Sequence, residues 1–159
     1  MTLQTEVFSV FNKKWAILAA GNRKDYNAMT ISWGGLGTLW FKPVVTVYVN
    51  PARYTYHYME KNDYFTVSFF EEKYRKALAV MGERSGRDCD KTALAGLSAL
   101  QIGNHISFAQ AQMVILCKKI YYQDMLLDNM PKEEILTHYQ KEKPHRMYIG
   151  EVLDIQHIT

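Results

Sequence analysis

The sequence predicts a mainly β protein, a barrel decorated by short helices. Strand-like segments, either alternating or rich in β-branched residues, recur from Trp15 to Ile155, and the stretches of helical spacing between them are short. The 11 tyrosines and 7 phenylalanines among 159 residues also favour strands and aromatic-lined cavities. Many strands with scattered short helices argue against a parallel βαβ sheet. At this length we expect a single domain, residues 1–159.

The predicted elements follow one another without a linker or a repeat. Strand patterns occur at residues 15–20, 27–33, 44–49 and 64–70, around Ile106, and at 113–122 and 147–155. Helical patterns occur at residues 53–60, 71–81, 92–97 and 131–136. We expect Gly82 to cap the C-terminus of the second helix, and Pro131 to lie in the first turn of the last.

The stretch from residue 27 to residue 40 joins a strand pattern to a cluster of glycines. Its first half alternates, with the hydroxyls of Thr30 and Ser32 on one face and apolar side chains on the other. Its second half carries glycines at positions 34, 35 and 37. Glycines there allow a tight barrel corner, or let the backbone approach a ligand closely. The residues alone leave both interpretations open: a plain barrel strand, or a strand that holds a flat molecule with polar edges.

Charge, hydropathy and cysteine usage limit the ligands and the cellular setting that we expect for the protein. The net charge of +3 is small and its charges are interspersed, which disfavours nucleic acid as a partner but suits a small anionic ligand. No apolar run approaches the roughly 18 residues of a membrane-spanning helix, and the N-terminus does not resemble a signal peptide. Cys89 and Cys117 form no paired motif, so we expect a reducing, cytoplasmic setting without a membrane partner.

The chain lacks the sequence motifs of several classes of binding site and enzyme. The glycines do not extend into a dinucleotide fingerprint, and no phosphate-binding P-loop follows a strand. The five histidines lack metal-ligand spacing, so no metal site is predicted. No nucleophile elbow is present, although a dispersed Ser/His/Asp triad stays open, and we assign no catalytic residue.

Two loops have the composition of an anion site. Arg53 and Thr55 follow a turn at Asn50 and lie at the start of a predicted helix, where backbone N–H groups and the helix dipole favour anions. Ser85 and Lys91, with Arg87 between them, add a hydroxyl and cations in a second loop. The alternative is that these cations are simply solvated.

Seven short segments, in order and at plausible spacing, span nearly the whole chain. They are residues 27–34, 42–45, 50–55, 65–70, 85–91, 116–118 and 145–151. As a set they resemble the flavin reductase-like proteins of the FMN-binding split-barrel superfamily, in the flavoredoxin branch. The resemblance implies a six-stranded Greek-key split barrel with peripheral short helices, assembled as a homodimer with FMN at or near the dimer interface.

The resemblance also implies which residues bind the cofactor. Asn27, Met29, Thr30 and Ser32 would lie along the isoalloxazine and the ribityl chain of FMN. Arg53, Thr55, Ser85 and Lys91 would hold the phosphate, and the Asn50 segment belongs to the same set.

For activity, the resemblance implies an NAD(P)H-dependent reductase that passes hydride to FMN and on to flavin or another acceptor. The hydride donor would be NADH or NADPH, and an electron-acceptor protein or a monooxygenase would be a partner. Two alternatives remain open. One is a non-enzymatic FMN electron carrier that shuttles electrons between partner proteins. The other is an interaction protein that has kept the barrel and lost the cofactor.

Overall fold

The computed structural model describes residues 1–158, which form nine strands, four α-helices and two short 3-10 helices. The strands are β1 Ala16–Asn22, β2 Asp25–Ile31, β3 Gly34–Leu39, β4 Lys42–Val49, β5 Tyr64–Phe69, β6 Ala99–Ile102, β7 His105–Phe108, β8 Met113–Asp124 and β9 Arg146–His157. The α-helices are α1 Tyr54–Lys61, α2 Arg75–Glu83, α3 Lys91–Leu94 and α4 Lys132–His138, and the 3-10 helices are Glu72–Tyr74 and Leu127–Asn129. Within residues 1–158, every helix is too short or too polar to span a membrane.

Seven strands form one antiparallel sheet in the order β2-β1-β5-β8-β9-β4-β3, and β6 pairs with β7 in a separate hairpin. β2 and β4 are far apart in this order, yet Met29 and Val47 pack in the same buried cluster. The sheet therefore curls around one core as a barrel that is split between its edge strands, β2 and β3.

The mainly β split-barrel prediction is confirmed, but six strands is too few. The glycine-containing stretch 34–39 is a paired strand rather than a corner, and the strand predicted around Ile106 is β7, which pairs with an additional strand, β6.

The alternation of β5 explains how two layers meet on this sheet. Phe65 and Val67 point into the barrel core, as their period-two spacing predicts. On the opposite face, the Thr66 hydroxyl donates to the Ile106 carbonyl over 2.6 Å, and the Ser68 and Ser107 hydroxyls lie 2.9 Å apart. These buried polar contacts attach the β6–β7 hairpin to the outside of the barrel.

Two glycines have roles that differ from the sequence expectations. A Cβ on Gly34 would lie 2.8 Å from the ring of Phe11, so this glycine makes room for an aromatic side chain from the N-terminal segment. Gly82 lies inside α2 and is not its C-cap, since the helix continues to Glu83. A Cβ on Gly82 would approach the Thr30 side chain to 3.3 Å, so Gly82 lets α2 pack closely on β2.

The turn after β4 and the end of α1 fix the orientation of that helix. The Asn50 side-chain oxygen accepts a hydrogen bond from the Ala52 backbone N–H over 2.9 Å, which shapes the turn before α1. At the other end, the Lys119 ammonium donates to the carbonyls of Met59 and Glu60, where the helix dipole favours a cation. The start of α1 is held against β2, where Thr55 bonds to Asn27.

Candidate functional site

A cavity of about 160 Å³, which we call the inner cavity, lies between the end of β2 and β4. Its lining residues are Met29, Thr30, Ile31, Ser32, Trp33, Tyr48, Asn50, Arg53 and His145. Among them are Met29, Thr30, Ser32, Asn50 and Arg53, which the sequence analysis assigned to the cofactor. The structure thus brings these five predicted residues to one cavity.

The polar lining of the inner cavity is held by hydrogen bonds to the surrounding elements. The Thr30 hydroxyl donates to the Leu78 carbonyl, which ties β2 to α2. The Asn50 side-chain amide donates to the Glu142 carboxylate and to the Lys143 carbonyl, each over 3.1 Å. Because its oxygen already accepts from Ala52, Asn50 shapes the wall of the cavity by tying the turn before α1 to the connection between β8 and β9.

The other four predicted residues, Asn27, Thr55, Ser85 and Lys91, do not line the inner cavity. The Asn27 side-chain amide donates to the Thr55 hydroxyl over 2.7 Å, and both residues are buried. A Cβ on Gly86 would lie only 2.1 Å from the Asn27 side-chain oxygen. Asn27 therefore joins β2, α1 and the loop that follows α2. In that loop, the Ser85 hydroxyl accepts a hydrogen bond from the Arg87 backbone N–H over 3.2 Å.

Arg53 and Lys91 meet at the C-terminal turn of α2. The Arg53 guanidinium donates to the Gly82 carbonyl over 3.0 Å, and the Lys91 ammonium donates to the carbonyls of Met81 and Arg84 over 3.1 and 3.3 Å. The negative end of the helix dipole favours both cations there. These two bonds use two of the three N–H donors of Lys91, which leaves a third for an anion.

Burial and the charge of Arg53 act together on Lys91. The side chain is only 6% exposed, and burial first and the neighbouring Arg53 second lower the pKa of Lys91 to about 8. Two cations in close proximity repel each other, so an anion placed between them and the Ser85 loop would be stabilised. Arg53 also lines the inner cavity, which makes it the link between the cavity and this cation pair.

The inner cavity has aromatic walls that the sequence analysis did not assign to the site. Trp33 is 43% exposed, and its ring centroid lies 5.3 Å from that of His138 and 5.1 Å from that of His145. Tyr48 faces the cavity from β4. Trp33 directly follows Ser32 in the sequence, and this adjacency is the signal that could have found it.

His145 also lines the inner cavity and begins the last of the seven segments that carry the resemblance. Burial, with smaller contributions from the charges of Arg53 and His138, lowers the pKa of His145, while Glu142 opposes that shift. Its Nδ1 lies 2.9 Å from the Tyr139 hydroxyl, which fixes the orientation of the ring.

Arg87, the remaining cation of the loop, points elsewhere. Its guanidinium lies 4.9 Å from the ring centroid of Tyr54 and 2.9 Å from Nε2 of His57. The site therefore has aromatic walls and hydroxyl groups at one end and two cations at the other. Such an arrangement suits a planar ring system with an anionic tail.

The profile of the flavin reductase like domain matches residues 8–159 of this chain. The chain belongs to the flavin reductase like domain family. A comparison with curated protein sequences finds no match.

Solved structures share the fold of this flavin reductase like domain. The flavoredoxin from Methanosarcina acetivorans is 17% identical, with a TM-score of 0.73 over 99% of this chain and 74% of that one. The flavoredoxin of Desulfovibrio vulgaris (Miyazaki F) is 22% identical, with a TM-score of 0.69 over 90% of this chain and 68% of that one. The NADH:FAD oxidoreductase of Streptomyces globisporus is 14% identical, with a TM-score of 0.70 over 91% and 75%. The same fold thus occurs in oxidoreductases and in flavoredoxins.

Proposed function

We propose that this flavin reductase like domain binds FMN, with the flavin ring in the inner cavity and the phosphate at Arg53 and Lys91, and that it is an NAD(P)H-dependent reductase. The observation that carries the proposal is the double position of Arg53, which lines the inner cavity and also bonds to the C-terminal turn of α2 beside Lys91. A planar ring with a phosphate-bearing tail would meet both binding regions through this one side chain.

The residues present fit the chemistry of FMN. The rings of Trp33 and Tyr48 offer flat apolar surface, and the hydroxyls of Thr30 and Ser32 lie in the same cavity, where they suit a polar-edged ring. A phosphomonoester carries a charge of roughly −1.5 to −2 near neutral pH, which matches the two cations at the end of α2.

When bound, FMN supplies the hydride chemistry, and the chain supplies binding and orientation. In this proposal Asn50 and Thr30 keep the cavity walls in place, because their side chains are already bonded to neighbouring elements. Arg53 and Lys91 anchor the phosphate and so fix the position of the ring along the cavity. No side chain is required to act as a general acid or base.

We further propose a homodimer whose second copy covers the rest of the flavin. The inner cavity, at about 160 Å³, is smaller than the roughly 300–1,000 Å³ of typical ligand cavities, so one chain covers only part of the ring. Trp40 and Phe41, at the tip of the β3–β4 hairpin, are 61% and 108% exposed and supply apolar surface for an interface. Sedimentation that gives a monomer of 18.5 kDa with flavin bound would contradict the dimer.

Two measurements test the function. The absorption spectrum of the protein, as purified or after incubation with FMN and removal of free ligand, should contain the bands of oxidised flavin; failure to retain FMN contradicts the proposal and favours a barrel without cofactor. Steady-state oxidation of NADH and NADPH with excess FMN should then proceed over many turnovers. The flavoredoxins among the structural neighbours are the reason to keep an electron carrier as the second candidate. Bound FMN without turnover of either nucleotide would favour that carrier.

A further inference from the structure

The connection between β8 and β9 forms a second cavity that the proposed function does not use. This connection, residues 125–145, contains the 3-10 helix Leu127–Asn129 and α4, and it lies next to Trp33 and Tyr48. The space beside it, which is open to solvent and which we call the outer cavity, has a volume of about 550 Å³. Its lining residues are Trp33, Tyr48, Met125, Asn129, Met130, Pro131, Glu134, His138 and Tyr139. Trp33 and Tyr48 line both cavities.

The connection is held by hydrogen bonds within itself and by contacts with Trp33 and Asn50, which follow β2 and β4, so the outer cavity is formed before any ligand arrives. The Met125 backbone N–H donates to the His145 carbonyl over 3.0 Å, which closes the base of the connection. The Tyr139 hydroxyl lies 2.9 Å from Nδ1 of His145, and the Trp33 ring packs edge-on against the ring of His138. Preformed, mainly apolar cavities of this volume are typical of small-molecule sites.

The charges that face the outer cavity restrict its ligand. Glu134 is its carboxylate, and Nε2 of His138 lies 3.5 Å from that carboxylate, one helical turn further along α4. Neither lysine nor arginine is among the lining residues. A phosphate, sulfonate or carboxylate group that enters this site would lose its hydration shell. It would lie near the Glu134 carboxylate, with no lysine or arginine in the lining to compensate. A neutral ligand is favoured, and the anionic tail of a nucleotide is disfavoured.

The uncharged walls favour a flat ring. Trp33 and Tyr48 present aromatic faces, Met125 and Met130 present polarizable thioethers that adapt to rings, and Pro131 completes the apolar lining. Asn129 and His138 can donate a hydrogen bond to a carbonyl group on the ligand, as can the Tyr48 hydroxyl and the Trp33 indole N–H.

We propose that the outer cavity is a binding site for a neutral aromatic carbonyl compound. The ring lies against Trp33 and Tyr48, and the carbonyl group faces Asn129 or His138. The binding itself needs no flavin. Only the idea that this ligand lies next to a flavin ring, and so becomes the small-molecule partner in its redox chemistry, rests on the proposed function.

The test uses two matched probes on the oxidised, full-length protein. 2-Acetylnaphthalene is a neutral bicyclic ketone, and 2-naphthoate has the same ring system with a carboxylate in place of the acetyl group. Calorimetric titration should give saturable binding of the ketone at one site per chain, at least about tenfold tighter than that of naphthoate, because the carboxylate would be buried near Glu134. Glu134→Gln should narrow this ratio by strengthening naphthoate binding.

Two variants of the same connection locate the site. Met130→Glu places a charge on the lining and should weaken binding of the ketone by roughly tenfold or more. Leu136→Glu is the matched control, since Leu136 is 62% exposed on α4 and does not line the cavity, and it should leave binding unchanged. FMN affinity should be the same in both variants.

Several results would overturn the inference. They are an absence of ketone binding, equal binding of ketone and naphthoate, equal losses in the two variants, and displacement of the ketone by FMN. An absence of ketone binding would result if a second copy of the chain filled the outer cavity through the exposed leucines of the connection. Displacement of the ketone by FMN would put the ketone in the inner cavity. Ketone binding that follows the expected pattern in a protein that fails to bind FMN would uphold this inference and contradict the proposed function alone.

Discussion

Asn27 on β2 and Thr55 on α1 are joined by a buried hydrogen bond, in which the asparagine amide donates to the threonine hydroxyl over 2.7 Å. The two residues are 5% and 1% exposed, and Gly86 packs against the free oxygen of the same asparagine. A barrel strand, the helix after β4 and the loop after α2 therefore meet at one side-chain amide. Gly86 belongs to the loop that carries Ser85, so this contact places that loop against β2.

We expect Thr55→Val to act through Asn27 and not through the phosphate. Valine keeps the shape of threonine but removes the acceptor, so the buried Asn27 amide loses its partner and the free energy of unfolding should fall by about 1–3 kcal/mol. Affinity for FMN and for riboflavin should fall by the same factor, as titrations of both ligands would measure. Thr55→Ser keeps the hydroxyl and is the control. A loss confined to FMN would instead make Thr55 a phosphate ligand, as the sequence predicts.

The phosphate prediction concerns Arg53 and Lys91. Arg53→Ala and Lys91→Ala should each weaken FMN binding by roughly ten- to a hundredfold, the equivalent of one charge-assisted hydrogen bond of about 1.5–3 kcal/mol. Riboflavin lacks the phosphate, so its affinity should barely change. The comparison of the two ligands in the same variants is the measurement.

Both cations also bond to carbonyl groups of α2, so the stability of each variant has to be measured alongside its affinity. Equal losses of FMN and riboflavin would assign the residue to the fold. Arg87→Ala is the matched control, because this cation of the same region faces Tyr54 and His57 and should leave FMN binding unchanged. If Arg87→Ala alone weakens FMN binding, the phosphate lies at Arg87.

The lowered pKa of Lys91 gives a pH dependence with a definite sign. Burial and Arg53 lower this pKa from 10.5 to about 8 in the free protein. Between these two values the unfolded chain holds a proton that the folded protein has lost, so the free energy of unfolding should rise with pH over that window on account of Lys91. A phosphate favours the charged ammonium, so FMN binding should take up a proton near pH 8–9 and weaken as the pH rises further.

Calorimetry in buffers of different ionisation enthalpy measures that proton uptake. The phosphate of FMN is already dianionic there, since its second pKa is about 6, and does not contribute. Lys91→Arg is the control, because a guanidinium stays charged and its FMN affinity should be independent of pH over this range. The absence of proton uptake by the wild-type protein would show that Lys91 does not meet the phosphate.

The parts that the sequence could predict are those that local pattern determines. The alternation of Phe65 and Thr66 gave both the strand and the two faces of β5, and the turn at Asn50 gave the start of α1. The position of Gly82 inside α2 was not predictable, because it depends on Thr30, a residue far away in sequence that packs against it.

In the candidate site, too, some residues could be predicted from local sequence and others depend on tertiary contacts. Thr30 and Ser32 could be assigned to one site because they alternate on one face of the predicted strand 27–33, and Arg53 because it begins a helix. Tyr48 could not, because it lines the cavity only when the sheet curls and brings β4 near the end of β2. The contacts of Lys91 with the last turn of α2 likewise depend on the path of a loop whose composition does not encode it.

A change at the tip of the β3–β4 hairpin should have opposite effects on the stability of the chain and on its dimerisation. Leu39 pairs with Lys42, so Trp40 and Phe41 form a two-residue turn, and both have positive φ angles, of 51° and 59°. Asparagine and glycine suit such a turn, whereas two exposed aromatic residues in the left-handed region are strained. Replacement of the pair by Asn-Gly should therefore raise the free energy of unfolding of the chain.

If the aromatic rings contact the second copy in the proposed homodimer, the same replacement should raise the dimer dissociation constant by roughly tenfold or more, since buried aromatic anchors dominate such interfaces. Chemical denaturation and sedimentation velocity measure the two effects independently. Dimers that dissociate at the same concentration in both proteins would contradict a role for this hairpin in the interface.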